Sequence, residues 1–217
     1  MSINPFIPPF DKLPDTLPVF PLPGAIVMPG SELPLNIFEP RYLNMVNDAL
    51  GTHRMIGMVQ PDPDANDEAG LCRTGCAGRI TQYRETGDGR IEMVLSGVCR
   101  FDLGDELPTT RGYRLVVPQW SRFAGDYEDH EDTLKSAQPL LLQTLKGYFK
   151  AEGLDVDWAM LERLSTVRLV NSMSMALPLS EADKQVLLET VQPAERLETF
   201  IALLGSASSS TGSATRH

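Results

Sequence analysis

Cysteine, basic charge and long apolar runs are all scarce in this sequence, and each scarcity removes a class of protein. Three cysteines in 217 residues, Cys72, Cys76 and Cys99, are too few for the disulfide framework of a small secreted scaffold, so a reducing compartment is expected. No stretch approaches the roughly 18 consecutive apolar residues of a membrane-spanning helix. The N-terminus MSINPFIPPFDKLPD lacks the basic start and unbroken apolar core of a signal peptide, which points to the cytoplasm. Nineteen Lys and Arg against 29 Asp and Glu leave a net charge of -10. The deficit is even: residues 1–118 hold 10 basic and 15 acidic side chains, and residues 119–217 hold 9 and 14. Polyanions are repelled by such a surface, so nucleic acid is not an expected partner. Histidine is equally sparse, and His53, His130 and His217 have no ligand spacing.

What is present divides by texture. Residues 1–16 are rich in proline and read as a flexible start, and residues 205–217, GSASSSTGSATRH, read as a disordered tail. From 17 to 118 glycine and proline break the chain into short runs such as LPVFPL, RMIGMVQ, RIEMVLSGVCRFDL and YRLVVPQW, the pattern of an antiparallel sheet or barrel. The clearest unit is Arg79 to Leu103. Asp88-Gly89 is expected to supply the positive φ angles of a hairpin turn, Ile91, Met93 and Leu95 alternate with more polar neighbours, and Gly97 marks a bulge. One helix is set inside this region, opened by Pro40 and stopped by Gly51.

From 119 to 204 the period changes to three and four. Leu141, Leu145, Tyr148 and Phe149 form an apolar stripe closed by Gly153, with Pro139 either starting or kinking the helix. Ser180 and Asp183 resemble a capping box, and Pro193 opens a last helix through Leu197, Phe200 and Leu204. The expected fold class is therefore α+β: a β-rich unit over 17–118 followed by a helical unit over 119–204.

Taken in order, LPVFPLPGAIVMPGSELPLNIFEPRYLNMVNDAL, MIGMVQP, GCAGRITQ, GRIEMVLSGVCRF, LPLSEADKQVLLET and ERLETFIALL resemble the N-terminal substrate-binding domain of the Lon protease family, in a short free-standing form. The resemblance implies a PUA-like antiparallel β barrel with one inserted helix, then a C-terminal helical bundle, and a role in binding polypeptides. Full Lon enzymes add an ATPase module and a Ser-Lys peptidase module. No G-x-x-x-x-G-K-[ST] phosphate loop occurs here, so neither ATP hydrolysis nor a catalytic residue is expected.

Other constellations have simpler readings. Ser180 and Lys184 stand one helical turn apart, but a serine at a helix start caps its own amides, leaving Lys184 to water. If residues 72–76 are extended, Cys72 and Cys76 lie about 13 Å apart, too far for one zinc, so no metal or other cofactor is expected and the cysteines read as small apolar fillers. The acidic runs DPDANDE (62–68) and DYEDHED (126–132) read as solvated linkers. For function the segment to examine is Phe38-Glu39-Pro40-Arg41-Tyr42, two aromatics and two charges at a strand-to-helix junction. Its competing reading is a cap, an ion pair and two core aromatics. Charged residues at this junction look like a substrate-contacting spot of the family. Met173 and Met175, in NSMSMALPL, are candidates for an adaptable groove.

The expectation is a non-catalytic module that binds unfolded or exposed apolar polypeptide segments, through Phe38, Glu39, Arg41, Tyr42, Met173 and Met175 and by strand addition at an open sheet edge. It would act as adaptor, holdase or competitor in protein quality control. Two alternatives stand beside it: an enzyme with a small-substrate cleft between barrel and bundle, and a docking partner of a separate protease or ATPase.

Overall fold

The computed structural model describes residues 6–65, 70–128, 130 and 132–211. Six strands, β1 (Leu17–Pro21), β2 (Glu32–Ile37), β3 (Met55–Val59), β4 (Thr74–Glu85), β5 (Ile91–Leu107) and β6 (Arg114–Gln119), form one sheet in the order β2-β5-β4-β3-β1-β6. β6 also pairs with β5, so β1, β3, β4, β5 and β6 close into a ring and β2 is an extra strand laid on β5. The expected sheet was antiparallel. β1 and β3 are instead parallel, because the excursion through β2 and helix α1 (Pro40–Leu50) returns the chain to the same end before it re-enters the sheet.

Alternation assigns the two faces. Leu17, Val19, Met55, Val59, Ala77, Phe101 and Val116 share one cluster, while Phe20, Ile56, Met58, Cys76 and Ile80 join Tyr42, Met45 and Val46 of α1 in another. Residues from distant strands converge inside the ring: a Cβ on Gly57 would lie 2.7 Å from Phe101 and 2.9 Å from Leu17. A third core lies among helices α2 (Gln138–Ala151), α3 (Trp158–Leu161), α4 (Thr166–Ala176), α5 (Glu181–Glu189) and α6 (Pro193–Thr211). The stripe Leu141, Leu145, Tyr148 and Phe149 faces Leu169, Leu197 and Phe200 there. Pro139 starts α2 without kinking it, since a first-turn position needs no N–H.

The turn between β4 and β5 departs from expectation in detail. Only Gly89 has a positive φ, 82°; Gly89 N–H bonds Thr86 C=O at 3.1 Å and Thr86 N–H bonds Arg90 C=O at 2.9 Å. This is a three-residue loop with the glycine in the left-handed position, a different geometry from the two-residue turn that Asp-Gly suggests. Gly51 ends α1 but is right-handed. Arg54, at φ 57°, takes the left-handed conformation, sends its N–H to Ala49 C=O at 2.8 Å and receives Ile80 N–H at 2.7 Å.

The proline-rich start was expected to be loose, yet residues 6–16 are docked. Leu13 is buried, Ile7 and Phe10 pack on the ring core, Tyr127 donates to Pro8 C=O at 2.9 Å and Trp120 Nε1 to Pro14 C=O at 3.2 Å. Apolar side chains between the prolines drive the docking, and proline lowers the entropy that it costs. At the other end α6 continues through Thr211, past the expected stop at Leu204. Residues 1–5 and 212–217 of the two expected loose ends lie outside the described residues. The change of texture near 119 is not a core boundary either, since Phe123 fills the ring core and Leu188 of α5 joins the sheet–α1 core.

Gly97 sits beside the bulge at Val98, where Ala77 pairs with Cys99 and Gly78 with Gly97. A Cβ there would fall 2.1 Å from Met28 C=O. Gly97→Ala is therefore expected to destabilise by about 3 kcal/mol or more. Gly87→Ala, with nothing within 4 Å of the new atom, should stay within about 0.5 kcal/mol; thermal denaturation of both measures the contrast.

Candidate functional site

The β4–β5 hairpin and β2 extend beyond the ring as a three-stranded sheet, and two exposed aromatics, Phe38 and Tyr83, stand on this extension. β2 ends at Ile37, and Phe38, no longer held in the ladder, is 61% exposed with the Arg90 guanidinium 5.5 Å from its ring centroid. Tyr83 of β4, opposite Met93 of β5, is 50% exposed. A concave strip of about 560 Å³ lies across the same three strands, with Pro34, Asn36, Gln82, Arg84 and Val94 among its lining residues. Its rim is zwitterionic: Arg84 pairs with Glu92 at 2.5 Å and Arg90 with Asp88 at 3.0 Å.

The strand-to-helix junction splits between the two readings the sequence leaves open. Phe38, Glu39 and Arg41 are at the surface, with the Arg41 and Glu39 side chains joined at 2.9 Å. Glu39 takes the N-cap position of α1 without a side-chain cap bond, because its carboxylate turns to Arg41. Tyr42 is core: 6% exposed, its ring 4.2 Å from that of Phe20, with the Arg41 guanidinium 4.5 Å above it. Burial pushes the Tyr42 phenol up, and the Arg41 charge opposes the shift. Met173 is 9% exposed within the helical core, and Met175 packs half-buried against the sheet–α1 core. Successive odd positions of a helix diverge by about 200°, so these two methionines serve two cores and not one groove.

The remaining constellations resolve into structure. Ser180 Oγ accepts the Asp183 N–H at 3.1 Å, the expected cap. Lys184 is not released to water; its Nζ donates to Gly24 C=O at 2.9 Å and ties α5 to the β1–β2 loop. Asp126, read from sequence as part of a solvated linker, is the carboxylate of a buried pair with Arg100 at 2.7 Å. Asp62 and Asp64 do shape a local turn, whereas 66–69, 129 and 131 of the two acidic runs lie outside the described residues. Cys76 and Cys99 are buried and Cys72 is half-buried, and no group of three or more His, Cys, Asp or Glu among the described residues is placed to hold a metal ion. Among them, too, no helix is long and apolar enough to cross a membrane. A second concavity of about 300 Å³, lined by residues including Lys135, Glu162, Arg163 and Arg168, lies wholly in the helical part, so neither it nor the strip on the sheet joins the two layers.

A mixed six-stranded sheet with helices on it and an exposed extension define an α+β domain. Residues 16–206 match the family described as ATP-dependent protease La (LON) substrate-binding domain, and the chain belongs to that family. It is 28% identical over 200 residues to a Lon protease of Flavobacterium johnsoniae, covering 88% of this chain and 24% of the relative. A Lon protease 2 of Thermus thermophilus is 27% identical over 208 residues, with 88% and 24% covered. The chain thus spans about a quarter of the length of these curated relatives. Among solved structures, the Lon N-terminal domain protein from Xanthomonas campestris superposes with a TM-score of 0.64 at 26% identity, over 86% of this chain and 97% of that one. The N-terminal domain of Mycobacterium avium complex Lon protease gives a TM-score of 0.67 at 19% identity, over 88% and 98%, a likeness of fold.

Two outcomes follow from this placement. Tyr42→Ala should destabilise by about 3–5 kcal/mol in chemical denaturation, while Phe38→Ala should change stability by less than about 0.5 kcal/mol. Burial also pushes the Cys76 and Cys99 thiols well above 9.0, so the folded chain keeps protons that the unfolded chain releases. Stability should therefore fall as pH rises through about 9, by about 1.4 kcal/mol per pH unit for each excess proton. The decline should be shallower in Cys99→Ala than in the unmodified chain when denaturation midpoints are followed to pH 10.5.

Proposed function

We propose that this chain is a non-catalytic polypeptide-recognition module that acts in protein quality control as an adaptor or holdase, or as a competitor for degradation. The observation that carries the reading is the match of residues 16–206 to a substrate-binding domain family, together with the exposed extension on which Phe38 and Tyr83 stand. In this reading the closed ring is a PUA-like barrel and α2–α6 a helical bundle, two rigid supports for a surface that must stay open. Phe38, Glu39 and Arg41 are its contact residues at the junction, and the buried Tyr42 holds them in place. Recognition of unfolded chains through exposed aromatics and a zwitterionic rim is broad and weak, because each contact is generic and the ligand loses conformational entropy on binding. Docking to a separate protease or ATPase would use the same module to deliver what it holds.

The test is fluorescence titration of the intact chain with a panel of reduced, carboxymethylated proteins and with the same proteins folded. Micromolar or weaker binding of several unfolded members, none of the folded ones, and a severalfold loss in Phe38→Ala are expected. Absence of binding across the panel overturns the reading, as does peptide-bond cleavage or nucleotide turnover by the purified chain.

A further inference from the structure

The sheet leaves two lateral edges open on the extension, and their backbone groups are not equivalent. β5 is paired on both sides along its first half, by Glu32–Ile37 of β2 and by the outer half of β4. Gly97 N–H bonds Ser31 C=O at 2.8 Å, and the register runs unbroken from Glu32–Ser96 to Ile37–Ile91. Leu33 and Leu35 therefore direct their backbone groups to β5, and Glu32, Pro34 and Asn36 direct theirs to the free side. Proline stands in the middle of that edge and has no N–H, so β2 is a poor template for another strand.

β4 is different. β3 covers it only over Cys76–Arg79, and Ile80 N–H is taken by Arg54 C=O at 2.7 Å. Beyond Ile80 no described strand lies on that side. Thr86 N–H bonds Arg90 C=O, and pairing is regular from Gln82–Val94 to Glu85–Ile91, so Gln82 and Arg84 bond β5 while Tyr83 and Glu85 turn N–H and C=O outward. Four adjacent backbone groups stand ready for an extended chain. The Tyr83 side chain lies on the same face as Met93 and Leu35, which gives one side chain of that chain an apolar neighbour at Tyr83.

Charge sets the direction. Arg54 and Arg79 meet where β3 leaves β4; Arg79 donates to His53 C=O at 3.0 Å, and its guanidinium is pushed down by burial and by the Arg54 charge. Neither has a carboxylate partner among the described residues, in a chain whose Arg41, Arg84, Arg90 and Arg111 all do. A strand antiparallel to β4 prolongs the line of β3 and runs toward Arg54, so its C-terminal end arrives at the two cations. A parallel strand would bring its N-terminal end there.

We infer that the Tyr83–Glu85 edge of β4 takes an extended polypeptide segment antiparallel to β4, with a carboxylate of that segment, chain-terminal or from Asp or Glu, seated at Arg54 and Arg79. This rests on the polypeptide-recognition reading and locates its strand-addition site. The probe is a fluorescein-labelled octapeptide of alternating valine and threonine ending in aspartate, titrated by anisotropy against the full chain. Tyr83→Pro removes one outward N–H and leaves the β4–β5 ladder intact, and should weaken binding about tenfold. Asn36→Pro on β2 should leave binding unchanged, and Arg54→Gln should weaken it severalfold and lower its salt dependence. A peptide N-methylated at the positions opposite Tyr83 reads the same bonds without altering the protein, should Tyr83→Pro melt early. Peptides with the C-terminus amidated, the aspartate replaced by asparagine, or both, separate the two carboxylate sources; loss in the doubly neutral peptide supports the site. Unchanged binding with Tyr83→Pro or the N-methylated peptide, or weakening by Asn36→Pro instead, overturns it. If unfolded proteins bind while this peptide does not, the edge site alone fails; if neither binds, the recognition reading falls with it.

Discussion

The joint between ring and helices depends on one buried guanidinium. Arg100, 2% exposed in the middle of β5, is held by Asp126 through Nε and Nη2 and gives Nη1 to the carbonyls of Leu188 at 3.0 Å and Thr190 at 2.6 Å. Arg196, equally buried on α6, reaches Asn171 Oδ1 at 2.9 Å and the same Thr190 carbonyl at 2.9 Å, and Asn171 in turn donates to Pro29 C=O at 3.0 Å. The α5–α6 turn thus has its carbonyls taken from two sides, by a strand and by a helix. Such a network adds little net stability over an apolar joint, because desolvating the charges is costly, but any other seating of the helices would strand two guanidiniums without acceptors. Its effect is to admit one arrangement of the layers.

That constraint explains how β5 can do two jobs. From Gly97 to Asp102 every residue is buried, because the ring core lies on one face while, on the other, Asp102 meets Arg122 of the 3-10 helix Ser121–Tyr127 and Arg100 meets Leu188 of α5. From Ile91 to Ser96 the strand alternates buried and more open positions, because Ile91, Met93 and Leu95 join the core that contains α1 while Glu92, Val94 and Ser96 turn to the other face. The bulge at Val98 and the close approach of Met28 to Gly97 mark the change between the two regimes. The inner half anchors, and the outer half presents.

Period and punctuation make much of this legible in the sequence alone. The α1 limits at Pro40 and Leu50, the Ser180 cap, the Gly153 stop and the hairpin over Arg79–Leu103 all follow from local chemistry that tertiary context did not override. The parallel β1–β3 pair was not legible, because pairing direction depends on a crossover and not on either strand's own pattern. Asp126 was missed because its neighbours Glu128 and Asp132 are solvent-facing and the run looks uniform. The signal lay elsewhere, in Arg100 flanked by Val98, Cys99 and Phe101 within a strand: a cation in an apolar run requires a carboxylate, and Asp126 is the one that the following turn returns to it. The junction at Phe38–Tyr42 was located by composition, but its division into surface and core depends on the angle at which α1 leaves β2, which Tyr42 packing on Phe20 decides.

A recognition surface for unfolded chains faces opposing demands: exposed backbone and aromatic groups bind ligand, and the same groups invite self-association. Closure of the ring removes most edges, and Pro34 blunts the one that runs the full length of β2. What stays open on β4 is only Tyr83–Glu85, too short to template a stable second sheet yet long enough to hold a few residues of an extended chain. In the proposed reading, weak and adjustable binding is the consequence of a short edge on a rigid frame, and its breadth needs no mobility in the frame itself.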